Sequence, residues 1–218
     1  QQAGWEAMQK GCTGGCRGAV VALEPSTGKV LAMVSAPSYD PNLLSSHDSA
    51  KQGQAWQQLR DDPTSPLTNR AISETYPPGS TFKVITTAAA LQAGVSENEP
   101  LTNAARIALP DSTVTLENYG GSTCDGGNEQ TVPLRMAFAR SCNTAFVQLG
   151  IRTGVDALRS TAQGFGLDIT PEPMPLQVAE STVGRIGDAA ALGMTSIGQK
   201  DVAITPLKNA VIAATIAN

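Results

Sequence analysis

Two apolar runs near the start of the chain, Gly18 to Glu24 and Val30 to Ser35, are separated by the breaker-rich stretch Pro25 to Lys29. Short apolar runs bounded by turn residues predict a β-hairpin, with Gly28 suited to positive φ in its turn. Residues 37–78 are polar and interrupted by prolines, which predicts a loop-laden cap with a short helix around Lys51 to Leu59. Past Ser80 the pattern changes period. Val84, Ile85, Ala88, Ala89 and Leu91 recur at helical intervals, and Gly94 reads as the stop, so a helix is expected over Ser80 to Ala93. Further helices are expected over Pro133 to Arg140, Asn143 to Thr153, Val155 to Phe165, Ala189 to Met194, and Pro206 to Ala217. The last has Thr205 as N-cap and Pro206 in its first turn. Ile107 to Leu109 and Thr113 to Leu116 predict a small hairpin, and the prolines within Thr170 to Pro175 exclude helix there.

Composition narrows the class. A chain of 218 residues with 41% hydrophobic and 16% charged residues is that of a folded protein with a real core. A net charge of −4, with no basic run interleaved with aromatics and only four phenylalanines and three tyrosines, argues against nucleic acid as a partner. No apolar stretch approaches the roughly 18–20 residues of a spanning helix; Ala210 to Ala214 is a core-helix fragment by length. The chain opens at Gln1-Gln2-Ala3 without an initiator methionine, which leaves room for a membrane anchor outside it.

The candidate chemistry begins at Ser80-Thr81-Phe82-Lys83, entered through Tyr76-Pro77-Pro78-Gly79. Three residues apart on a helix, the hydroxyl and the amine share a face and lie about 4.5 Å apart along the axis. A serine attacks an acyl carbon well only when a neighbour takes its proton, and a lysine does so when desolvation or nearby charge lowers its pKa. The free N–H groups at a helix start also favour a developing oxyanion. The same four residues read equally as a serine N-cap followed by a solvated lysine.

A second element, Ser141-Cys142-Asn143, lies in a turn between two expected helices and offers a hydroxyl for proton relay and a carboxamide for a substrate amide. Together, in this order, the two elements resemble the S-x-x-K and S-x-N motifs of the penicillin-recognising serine acyltransferases, which carry a third K-T-G element. The flanks fit as well. Gly18 to Ser35 resembles the opening hairpin of that domain and Pro37 to Asn42 the segment leaving it. Asn69-Arg70-Ala71, Asn118-Tyr119-Gly120-Gly121, Ile197-Gly198-Gln199 and Thr205-Pro206-Leu207 are similar to class B penicillin-binding protein transpeptidases.

That resemblance implies an α/β penicillin-binding protein/serine β-lactamase-like transpeptidase fold, an antiparallel sheet flanked by helices plus an all-helical subdomain. Residues 1–36 would supply a first helix and the hairpin, 37–200 the mainly helical subdomain, and 201–218 a helix returning to the sheet. It implies Ser80 as the acylated nucleophile, Lys83 as its base, Ser141 as a relay toward the leaving amine, and Asn143 as a partner of the substrate backbone. The activity implied is peptidoglycan D,D-transpeptidation through a serine acyl-enzyme, with stem peptides as substrates, β-lactams as acylating inhibitors and no cofactor. Division or elongation proteins are implied as partners, and an extracytoplasmic site behind an N-terminal anchor as the location. The alternatives are a D-alanyl carboxypeptidase or β-lactamase, in which water is the acceptor, and a non-catalytic sensor, scaffold or inactive fragment of the same fold. Neither Lys-Thr-Gly nor Lys-Ser-Gly occurs in these residues. The expectation is therefore that the chain is the N-terminal portion of one transpeptidase domain, lacking the C-terminal strands.

Cys12 and Cys16 flank a flexible Thr-Gly-Gly and are the disulfide candidate; a metal site is the alternative, for which a single histidine and no second close cysteine pair offer few ligands. No metal is expected. Cys124 and Cys142 are expected as free thiols, with Cys142 packed inward as a small apolar residue. His47 beside Asp48 invites a Ser-His-Asp reading, but Ser45 to Ser49 is a polar loop run.

Overall fold

The computed structural model describes residues 1–12, 15–171 and 175–218. They group into two compact units: the described residues of Gln1–Thr75, Glu172–Ala179 and Thr205–Asn218, and those of Tyr76–Pro171 and Glu180–Ile204.

In the first unit, helix α1 (Gln2–Gly11) precedes the expected hairpin of β1 (Gly18–Leu23) and β2 (Val30–Ala36), which pair antiparallel with Val20 opposite Val34. Its turn closes on Gly28, whose φ of 71° lets its N–H reach the carbonyl of Glu24 at 2.8 Å. Helix α2 (Ser49–Asp61) brackets the expected short helix and is capped by Asp48, whose carboxylate accepts from the N–H groups of Ala50 and Lys51. A four-residue helix, α3 (Arg70–Ser73), carries Ala71 and Ile72 into a core shared with Leu207 of α9 (Pro206–Ala217) and with Val21 and Met33 of the hairpin. That packing is why residues 37–75, assigned by the sequence to the helical part, group with the hairpin. Thr205 caps α9 as expected, accepting from the N–H of Lys208 at 3.0 Å.

Arg70 holds this unit from inside. Its guanidinium is fully buried and donates to the carbonyls of Thr64 at 2.6 Å and Ser65 at 3.2 Å, with Glu74 3.6 Å from Nε. A buried cation is tolerated only when so paired.

The second unit is mainly helical. It runs through α4 (Lys83–Gln92), β3 (Pro100–Thr102), β4 (Arg106–Ala108), β5 (Thr115–Glu117), β6 (Thr131–Pro133), α5 (Leu134–Ala139), α6 (Asn143–Thr153), α7 (Val155–Gly164) and α8 (Ala189–Thr195). Strands β4 and β5 form the expected small hairpin, with Ile107 opposite Leu116. The pairing of β3 with β6 has no local signal in the sequence, because each strand is three residues long and its partner is distant. Helix α6 is the hub. Ala145, Phe146, Val147 and Leu149 are all buried, and Gly150 lets α6 approach α8 so closely that a Cβ there would sit 1.7 Å from Ser196 Oγ. Of the expected loop Thr170 to Pro175, residues 172–174 lie outside those described; Thr170, Pro171 and Pro175 are not helical. Among the described residues no helix is long and apolar enough to cross a membrane.

Candidate active site

Ser80 does not start a regular α-helix. Gly79–Phe82 form a 3₁₀ turn and α4 begins at Lys83. The reason lies in what grips the turn. Tyr76 exchanges backbone hydrogen bonds with Ile204, donating at 2.8 Å and accepting at 3.0 Å, and Gly79 donates its N–H to the carbonyl of Gly198 at 3.0 Å. Both glycines have positive φ, 56° at Gly79 and 70° at Gly198, and a Cβ on Gly198 would come within 2.1 Å of the Gly79 carbonyl oxygen. One turn further, the hydroxyl of Thr86 donates to the carbonyl of Ser196 at 2.8 Å. Residues 196–204 therefore form a cradle under the turn. Phe82, Lys83 and Ile85 point inward, while Ser80 stays exposed. The approach of a substrate to the hydroxyl is open, and the amine behind it is dry.

The second element sits where α5 ends. The N–H of Ser141 donates to Phe138 at 3.0 Å and that of Cys142 to Ala137 at 2.9 Å, closing the helix while Ser141 takes the left-handed conformation at φ 57°. Cys142 is bonded to Cys124 in a disulfide with a Cα separation of 5.4 Å. The free thiols expected for this pair are thus corrected. Both sulfurs are buried as small apolar groups are, but the loop 121–130 folds back and brings them together. Asn103 holds that loop, donating to Asp125 at 2.7 Å and to the Glu129 carbonyl at 2.8 Å.

The two elements meet at one nitrogen. Lys83 Nζ lies 3.2 Å from Ser80 Oγ, 3.2 Å from Ser141 Oγ, 2.6 Å from the Ser141 carbonyl and 2.8 Å from Asn143 Oδ1. Every one of these partners is neutral. Burial pushes the lysine down from 10.5 to about 8. The ring of Phe146 lies beneath the amine, 5.4 Å from nitrogen to centroid, and supplies a further weak attraction for the charged form. When the lysine is neutral it has two N–H bonds and one lone pair. The carbonyl and the carboxamide oxygen, the two shortest partners, accept from the N–H bonds, which leaves the lone pair facing the hydroxyls.

All four site residues read from the sequence converge, and the solvated-lysine alternative fails because the Lys83 side chain is 1% exposed. Cys12 and Cys16 form the expected disulfide in the other unit, which removes the metal alternative for them. His47 is exposed in a bend. Among the described residues no group of His, Cys, Asp and Glu is placed to hold a metal ion. Two features had no expectation from the sequence: Gly198 as the seat of the turn that carries Ser80, and the Cys124–Cys142 bond. An even count of cysteines in a chain already expected to be oxidised was the available signal for the bond.

A serine and a buried lysine meet a serine–asparagine turn on this fold, and the chain belongs to the penicillin-binding protein transpeptidase domain family, which matches residues 18–218. It is 75% identical over all its 218 residues to the peptidoglycan D,D-transpeptidase PbpA of Mycobacterium tuberculosis H37Rv, covering 44% of that protein. It is 71% identical to PbpA of Mycolicibacterium smegmatis, again over the whole chain and 44% of the relative. The structure of M. tuberculosis penicillin-binding protein A as a penicillin G acyl-enzyme superposes with a TM-score of 0.96 at 75% identity, over 100% of this chain and 49% of that one. The chain thus spans less than half the length of the relatives it matches.

Proposed function

We propose that this chain carries the acylation centre of a peptidoglycan D,D-transpeptidase. The observation that carries the reading is the approach of a buried Lys83 amine, with a pKa lowered to about 8, to within 3.2 Å of the exposed Ser80 hydroxyl. In this reading Ser80 Oγ attacks the penultimate D-alanine carbonyl of a stem peptide, and its proton passes to the neutral Lys83. The tetrahedral adduct expels the terminal D-alanine. Its amine takes the proton back from Lys83 through the Ser141 hydroxyl, which lies 3.2 Å from Nζ. An amine of a neighbouring stem peptide then attacks the ester, forms the cross-link and frees Ser80. A β-lactam enters the same first step, its ring C–N bond being the one that breaks.

Asn143 has two tasks in this scheme. Its Oδ1 orients the amine, and its Nδ2, which donates to the Glu117 carbonyl at 3.2 Å, fixes the carboxamide where a substrate amide can pair with it. Two disulfides, and relatives named for work on peptidoglycan, support an oxidising, extracytoplasmic location.

Labelling with a fluorescent penicillin tests the reading. The full-length protein should form a long-lived adduct on the peptide containing Ser80, and Ser80→Ala should form none. A label that persists in Ser80→Ala sinks the assignment, and rapid turnover of the label points to a water-accepting hydrolase.

A further inference from the structure

Asn143 and Phe146 stand three residues apart on α6, so their side chains share one face of the helix. Both meet the Lys83 amine. Asn143 Oδ1 accepts from Nζ at 2.8 Å, and the same nitrogen stands over the ring of Phe146, 5.4 Å from its centroid. The ring is held in place. Phe146 is fully buried in the core that includes Ala137, Val147 and Leu149, and it packs at a tilt on Phe138 with 6.2 Å between centroids.

In the scheme proposed above, Lys83 gains a charge when Ser80 Oγ bonds to the acyl carbon and gives up its proton. A cation in a dry site needs a partner. Among the described residues, none of the charged groups on the surrounding elements serves. Glu117 of β5 pairs with Arg106, Arg152 of α6 with Glu99, and Arg159 of α7 with Asp168. Arg135, Arg140, Asp156, Lys200 and Asp201 are exposed. Burial is the one cause that displaces the amine from its ordinary pKa. Besides neutral oxygens, the amine therefore has only the face of the aromatic ring, whose quadrupole attracts a cation more strongly once water is excluded.

We propose that Phe146 is a positioning residue for acylation: its ring face, together with the Asn143 carboxamide, holds the protonated amine of Lys83 and so sets how readily that amine takes and returns the proton of Ser80. The inference rests on the reading of Lys83 as the base for Ser80.

The test places trifluorophenylalanine at position 146 of the full-length protein, which nearly keeps the shape of the ring but drains electron density from its face. The second-order rate of acylation by benzylpenicillin, followed across pH, reports the protonation of the free enzyme. In the wild type this rate should rise with a midpoint at about 8. In the fluorinated protein the midpoint should fall by roughly half a unit to one unit, because the charged amine has lost part of its partner. A purely structural role would lower the rate at every pH without moving the midpoint. An unmoved midpoint in the fluorinated protein thus overturns the inference while leaving Lys83 as the base. A wild-type rate that does not rise with pH overturns the reading of Lys83 as base, and this inference with it.

Discussion

The amine of Lys83 donates to the carboxamide oxygen of Asn143 at 2.8 Å across 60 residues of sequence. That contact joins α4 to the start of α6 and ties the amine to both motifs at once. Because the partners of the amine are neutral, burial decides its protonation.

A pH dependence follows from this burial. Only neutral Lys83 can take the Ser80 proton, so the rate of acylation by benzylpenicillin should rise with pH and level off above about 8. The effect on stability has the same sign. Below about 8 the lysine is charged in both folded and unfolded chains, and its burial counts in full against folding. Between about 8 and 10.5 the unfolded chain binds the extra proton, so stability rises with pH by at most about 1.4 kcal/mol per unit from this group. Lys83→Arg, which cannot deprotonate, should remove both the acylation limb and this rise, as read by stopped-flow labelling and urea melts across pH.

Gly198 should be intolerant of any side chain. A Cβ there meets the Gly79 carbonyl oxygen at 2.1 Å, so Gly198→Ala must shift the turn that carries Ser80. The expected result is a roughly tenfold to hundredfold slower acylation, since small displacements of a reacting group are costly. Solvent-exposed Gly53 has open space around its Cβ, and Gly53→Ala should leave the rate unchanged.

The Cys124–Cys142 bond closes a loop with a sequence separation of 18. Replacing both cysteines by alanine should destabilise the protein by about 2–4 kcal/mol in denaturant melts. Because Ser141 and Asn143 flank Cys142, acylation should also slow under conditions where the variant remains folded. An unchanged rate would restrict the bond to a stabilising role.

Arg70 is expected to be the most sensitive charged position of its unit. Arg70→Met keeps much of the volume but strips donors from the carbonyls of Thr64 and Ser65. A loss of about 2–3 kcal/mol is expected from thermal or urea unfolding. The Arg60–Asp61 pair is exposed on both sides, and Arg60→Met should change stability little.

Much of the fold was legible because its signals are local. The apolar periodicity of Val84 to Leu91 and the cap of Thr205 before Pro206 each depend on residues within a few positions of one another, and the structure places helices there. The hairpin of β1 and β2 was legible for the same reason, with breakers between two apolar runs. Strands β3 and β6 were not, since three-residue strands carry no period and their pairing is decided by the core around Leu101 and Val132. The four-residue α3 was equally silent, its helix existing because Ala71 and Ile72 have a core to enter.

The candidate hydroxyl, amine and carboxamide, Ser80, Lys83 and Asn143, could be picked out from the chain alone, because motif spacing fixes residue type and order. Only long-range packing makes the amine dry, seats the Ser80 turn on Gly198 and brings Cys124 to Cys142. Those are distances between residues remote in the chain, and they follow from which surfaces pack together. Burial lowers the pKa of Lys83 and brings a common spacing of serine and lysine together as one hydrogen-bonded pair.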